Sequence, residues 1–437
     1  MTALEGPLRA AVIRIAWPAA LGYLLIFANN FVDYFWVKLL GTEASAGQTA
    51  GWMLFWMVGS FGQIFSVGVT AVVARRVGEG RLEAAASSAA QGMRAALLGS
   101  VLVGVAGWML VPVFVSGNAS SPAAAGYTTD YLRTIFAGTP LLFSFYVLEG
   151  TFKGHGDTRR PLRAMACALG LNIVLDPILI HVVGLEVLGA ALATVIAFGL
   201  TGLLLILAAQ RRALVAWRAA LDVRLMARIV RIGAPISIHG VLFSIVYVFI
   251  ITEVNLAGGD AGTAALGLGI RIESFGYMVC MGLAAAAAAV VGQNLGAGNI
   301  RRANEGAWAA ARLGLYINGA WGLLMLVAPR GWVSAVSPGA QATGYSLLYL
   351  EIVACSLPFM ALELTMEGAF AGAGNTLPPM LMGIPLTVVR IPGAMVVSRV
   401  FGWGLPGIFW VLTLTAVARG FFLALWFARG RWIHAKA

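Results

Sequence analysis

Twelve stretches of this chain run for 20 or more residues with mostly apolar side chains, and no motif restricts the fold as tightly. They fall at about 11–37, 48–73, 90–115, 128–151, 161–183, 187–209, 228–256, 262–291, 304–328, 342–369, 378–400 and 405–428. A helix needs about 20 such residues to cross the hydrocarbon of a bilayer. The 437 residues are 60% hydrophobic and 11% charged, whereas a soluble domain is about 45–50% apolar and about 25% charged. Polar side chains could not cover that surface in water, so lipid is the expected solvent. The first stretch is long and lacks a small-residue cleavage site, which reads as a retained helix and not a removed signal.

The chain also repeats itself at half its length. Ile13-Arg14-Ile15-Ala16-Trp17-Pro18 returns as Val230-Arg231-Ile232-Gly233-Ala234-Pro235, and Glu149…Thr158 returns as Glu367…Thr376, shifts of 217 and 218 positions. Such a period is too long for a solenoid. It gives an all-α polytopic membrane protein of two six-helix lobes related by a pseudo-two-fold axis. We assign 1–209 to the first lobe, 210–227 to a basic amphipathic linker on the inner membrane surface, and 228–437 to the second lobe.

Short loops rich in Lys and Arg mark the cytoplasmic face. Arg75, Arg76 and Arg81 follow the second stretch, Lys153, Arg159 and Arg160 the fourth, Arg301 and Arg302 the eighth, and Lys436 closes the chain. Glu43, Asp130, Glu186 and Asp260 sit in the opposite loops, with Arg330 and Arg399 as exceptions. Both termini are therefore expected in the cytoplasm, in a multi-pass inner-membrane protein. The net charge of +11 is a topology signal. A nucleic-acid partner would want a soluble basic face with aromatic platforms, and none is present. Cys167, Cys280 and Cys355 all lie in apolar stretches, which argues against disulfides or a zinc site. The run Gly292–Asn299 lacks the ending of a phosphate-binding loop. No nucleophile–base set or metal motif is evident, so an enzyme is not expected, nor a cofactor.

An ionisable group in mid-membrane is costly, roughly 2.5–3.5 kcal/mol on insertion scales, so each demands an account. Asp33 lies late in the first stretch with Asn29 one turn earlier on the same face, and Pro18 in the same helix permits a hinge. Asn172 and Asp176 share a face of the fifth stretch, and Pro177 leaves the Ile173 carbonyl without its helical donor. Thr194 and Tyr131 can add hydroxyls. Such a set suits a small hard cation such as Na⁺, or a shared proton, because neighbouring carboxylates in a poor dielectric resist double ionisation. It equally permits plain helix-to-helix hydrogen bonding or a wet cavity. The repeat supplies a control: the partners of Asp33, Asn172, Asp176 and Thr194 are Ile250, Arg390, Ala394 and Leu412. A role common to both lobes should survive in both, which favours an ion site in the first. Glu273, Glu253 and Glu363 are second-lobe candidates for substrate binding or a further coupling route, with helix packing as the alternative. The Glu149…Thr158 segment reads as structural: Glu149 and Lys153 as a local ion pair, Asp157 or Thr158 as a helix cap.

Taken in order, several segments resemble the multidrug and toxic compound extrusion (MATE) family. They are the proline-bearing first helix with Asp33 and Gly41, Ile270–Phe275 leading to Gly292–Gly298, Gly372-Ala373-Gly374-Asn375-Thr376 with Pro379, and Arg390-Ile391-Pro392. The resemblance implies a V-shaped pair of lobes working by alternating access. It implies export of organic, often cationic, drugs in exchange for H⁺ or Na⁺, by what is expected to be a monomer. In the branch this chain is similar to, the coupling site matches Asp33, Asn172, Asp176, Tyr131 and Thr194. A second branch places acids in the seventh and tenth helices, where this chain has Ser244 and, near the other position, Met360. Arg390 is the one candidate cation for an anionic substrate, as a lipid-linked saccharide flippase of the same superfamily would need.

Overall fold

The computed structural model describes residues 4, 6–118, 121–334 and 340–434; Lys436 lies outside them. Among the described residues there is no strand. Ten helices are individually long and apolar enough to cross a membrane, and the bent pair Pro122–Ala137 and Thr139–Gly154 (51°) makes an eleventh. The 74-residue Val223–Gly296 breaks at Gly259 (φ 59°, ψ −156°), a conformation that favours glycine, and so supplies two spans. The twelve helices are α1 (Leu8–Lys38), α2 (Thr42–Gly78), α3 (Leu82–Asn118), α4 (the bent pair), α5 (Arg159–Val182), α6 (Glu186–Gln210), α7 and α8 (223–258 and 260–296), α9 (Ile300–Val327), α10 (Thr343–Ala373), α11 (Leu377–Val400) and α12 (Gly404–Ala428).

The α4 bend has a local cause. Pro140 cannot donate to the Phe136 carbonyl, and the Thr139 hydroxyl takes that oxygen instead (2.8 Å). Both α5 and α11 widen into a π turn, over Ile178–Val182 and Val396–Val400. Pro177 precedes only the first of these and Met395 precedes the second, so the turn belongs to the repeated fold and not to the proline. By contrast α1 runs unbroken through Pro18.

One apolar face of α3 (Leu98, Val101, Leu102, Val105, Met109) is exposed along two turns and more, the pattern of a helix facing lipid. Between helices, small residues set the spacing. A Cβ on Gly368 of α10 would lie 2.7 Å from Cα of Ala284 and closer still to its carbonyl oxygen, within the alanine run of α8. The first-lobe core reaches into the start of α7 through Leu225, Met226, Ile229 and Ile232. Reciprocally, Val12, Ile15 and Ala16 of α1 join a second-lobe cluster. Close approaches between the lobes lie toward the Arg-rich ends, as where Gln293 Nε2 donates to the Gly154 carbonyl (2.8 Å). The linker is a run of turns rather than a helix, with Leu214 and Val215 buried and Arg94 donating to the carbonyls of Trp217, Ala219 and Ala220.

Of the two expected caps of α5, Asp157 is the one that acts, its Oδ1 accepting from the Arg160 N–H (3.4 Å), and Thr158 does not. Its hydroxyl donates to the Ile15 carbonyl (2.7 Å), and Thr376 does the same to Ile232 (2.7 Å). These carbonyls lie near Pro18 and Pro235, where each lobe enters its first helix. Thr158→Val and Thr376→Val should each cost about 1 kcal/mol, add when combined, and lower the thermal midpoint in detergent alike; an unequal response would show that the two clamps are not equivalent.

Candidate functional site

Three helices deliver the polar set of the first lobe to one point. From α1, Asn29 and Asp33 stand one turn apart, and Asn29 Nδ2 donates to Asp33 Oδ1 (3.3 Å) and Oδ2 (3.4 Å). From α6, the Thr194 hydroxyl donates to Asp33 Oδ2 (3.0 Å). From α5, Asn172, with its amide nitrogen turned to the acceptors around it, donates to Asn29 Oδ1 (3.0 Å), Asp33 Oδ1 (2.9 Å) and Asp176 Oδ2 (3.3 Å). The two carboxyls are within hydrogen-bonding reach of each other. Asp33 is 3% exposed, and Asn172 and Asp176 are 0% exposed. Tyr131 is buried beside them, its ring against Gly51, and its hydroxyl makes none of these bonds.

Chemically, the set is acid-rich and short of cations. Neither Asp33 nor Asp176 has an ion-pair partner among the described residues, and Asp176 Oδ1 has no donor at all. A carboxylate pair in a poor dielectric is not stable with both charges bare. Oxygens from two carboxyls, a hydroxyl and an amide are donor types that can surround one proton or one small hard cation. Beside the pair lies a cleft of about 40 Å³ bordered by Asn29, Thr194, Phe55, Phe145, Met165 and Phe198. It is apolar and aromatic on most sides and polar where it meets the site.

The second-lobe candidates stand apart from this pair. Glu273 accepts from the Tyr349 hydroxyl (2.9 Å). Glu363 is paired with Arg419 (3.1 Å). Glu253 is paired with Arg399, whose side chain is 52% exposed. Arg390 is buried on α11 and donates to Thr415 Oγ1 (2.8 Å). Sequence reading missed Arg419, although a lone arginine in the apolar run of α12 is itself a signal. It also missed that Arg419 Nη1 reaches His239 Nε2 (3.3 Å), with Glu367 3.6 Å from the other ring nitrogen. Glu149 and Lys153 do form their ion pair (2.7 Å), but it is buried and extends to Tyr23, whose hydroxyl accepts from Lys153 (2.7 Å).

Fold and site together define a two-lobed polytopic membrane protein with an unneutralised carboxylate pair in one lobe. A family model, MatE, matches residues 18–178 and 235–396, one copy in each lobe, and the chain belongs to that family. It is 26% identical to the probable multidrug resistance protein NorM of Thermotoga maritima, over 97% of this chain and 93% of that one. It is 27% identical to the FAD transporter of Shewanella oneidensis over 69% and 68% of the two chains. The fold superposes on an outward-facing multidrug resistance MATE family transporter with a TM-score of 0.92 at 24% identity, covering 99% of this chain and 97% of that one.

If the pair carries unbalanced charge, Asp33→Asn should raise the thermal midpoint of the purified protein at pH 7.5 without Na⁺. The natural protein should gain stability on adding Na⁺ or acid, and the variant should not. Identical midpoints for both under all conditions would contradict the site.

Proposed function

We propose that the chain is a secondary active multidrug exporter of the inner membrane, both termini cytoplasmic, which expels organic, often cationic, compounds in exchange for H⁺ or Na⁺. One observation carries this reading: two buried acids without a counter-cation lie behind Asn29 and Thr194, which line an aromatic cleft, and the repeat-related positions of the second lobe lack the acids. Relatives named for multidrug resistance support it.

In this mechanism the pair is the point of exchange. The pair shares one proton at rest and so carries one negative charge, which an entering H⁺ or Na⁺ neutralises, with Asn172 and Thr194 holding the carboxyls in register. A cationic aromatic compound that enters as the cleft widens and the coupling ion then compete for that one negative charge, so loading one expels the other. Neutralisation weakens the charge-assisted hydrogen bonds that tie Asp33 of α1 to Asn172 of α5 and Thr194 of α6, and lets α1 tilt. Pro18 is the hinge in this proposal, because residue 18 has no N–H to bond the Arg14 carbonyl. Alternating access then follows from rocking of the lobes around the Arg-rich contacts. A monomer suffices, and no cofactor is needed.

A lipid-linked saccharide flippase would need an extended cationic lining for its pyrophosphate. The described residues of the second lobe bring two buried arginines together, and Glu363 already pairs with one of them.

The test is ethidium efflux from vesicles holding the purified protein, driven separately by a pH and a Na⁺ gradient. One gradient should drive efflux in the natural protein, and Asp33→Asn or Asp176→Asn should cut it by at least about tenfold, the scale of about 1.4 kcal/mol. Undiminished gradient-driven efflux in both variants would overturn the reading.

A further inference from the structure

The repeat that removes the acids from the second lobe puts a fixed cation in their place. Arg390 occupies the position of Asn172, one turn before Ala394, which replaces Asp176. It is 3% exposed. Its Nε donates to Thr415 Oγ1 (2.8 Å) and its Nη2 to the Leu412 carbonyl (3.3 Å), Leu412 being the counterpart of Thr194. Its guanidinium lies over the Phe243 ring, 5.7 Å from the centroid. No carboxylate forms an ion pair with it among the described residues: Glu363 is held by Arg419 and Glu273 by Tyr349. Nη1 of Arg390 is buried without any acceptor, and so is Nε of Arg419.

A guanidinium keeps its proton in proteins. A buried one without a counter-charge is costly unless a ligand supplies the anion. The position is also reachable, since Phe243 and Tyr247 of α7 are only half-buried and Tyr247 stands beside Arg390. The unused N–H groups of Arg390 can grip a planar anion, and the Phe243 ring offers a stacking face for the aromatic system that carries it.

We propose that Arg390, Tyr247 and Phe243 form an anion subsite that receives the carboxylate of an aromatic substrate. This rests on the export reading above and assigns the second-lobe groups that meet the acid end of a zwitterionic aromatic substrate. The two lobes then present opposite charges, with the cationic end of such a compound addressed by the first lobe and the acidic end by the second. The competing account is that Arg390 only balances Glu273 and Glu363 at a distance.

The test compares ciprofloxacin with its methyl ester, which keeps the rings and the amine and loses the carboxylate. Binding is followed on the purified full chain in detergent, with ethidium as the cation control. The natural protein should bind the acid at least about tenfold tighter than the ester. Arg390→Gln should bind acid and ester equally, leave ester and ethidium affinities unchanged, and lose the rise in thermal midpoint that the acid confers. Arg390→Lys keeps the charge without the planar fork and should retain part of the preference; it serves if the glutamine variant does not fold. Equal binding of acid and ester by the natural protein overturns the subsite, as does an unchanged preference in either folded variant. Ethidium efflux without acid preference sinks the subsite alone. Acid preference without gradient-driven efflux sinks the export reading and leaves the subsite standing.

Discussion

Two carboxyl groups meet inside a bundle of apolar helices, and the cost of leaving both charged organises what surrounds them. Asp33 and Asp176 come from α1 and α5, which are far apart in sequence. Asn29, Asn172 and Thr194 aim their donors at the same oxygens, and one oxygen of Asp176 is left open. Such an arrangement is poor as a structural weld. Replacing a buried ionic group by an apolar one is often neutral or stabilising, and the second lobe does so with Ile250 and Ala394, both 0% exposed. The first lobe keeps a costly feature that the common fold does without, which is why we read it as functional.

The duplication separates what the fold needs from what the site needs. Features found in both halves include the π turns of α5 and α11 and the threonine clamps onto the Ile15 and Ile232 carbonyls. Features found in one half carry the chemistry: an acid pair in the first lobe, and at the equivalent place in the second a guanidinium without an ion-pair partner among the described residues. The halves are joined through the starts of α1 and α7, each of which packs in the other lobe's core. A tilt of either helix is thereby felt in both lobes.

Much of this was legible in the residues. Run lengths gave the twelve spans, the 217–218 shift gave the lobes, and the i, i+4 spacings gave Asn29–Asp33 and Asn172–Asp176 as faces. Thr194 joins Asp33 as expected, whereas Tyr131 comes close without bonding. Local rules failed where a long-range contact outbid them. Asp157 caps α5 as one of the two expected residues, while Thr158 reaches the Ile15 carbonyl, 143 positions away. The Glu149–Lys153 pair is visible in sequence, but its burial against Tyr23 is not. The Arg419–His239 contact spans 180 positions, and no spacing rule reports such a meeting. A lone arginine in an apolar run only announces that some partner exists.

Coupling depends on a single negative charge exchanged between drug and ion. The most direct measurement is the ion released when ethidium binds the purified protein, read as protons with an indicator dye in weak buffer and as Na⁺ by sodium NMR. About one ion per protein should appear, and none in Asp33→Asn or Asp176→Asn. Saturating ethidium binding with no ion released from the natural protein would contradict it.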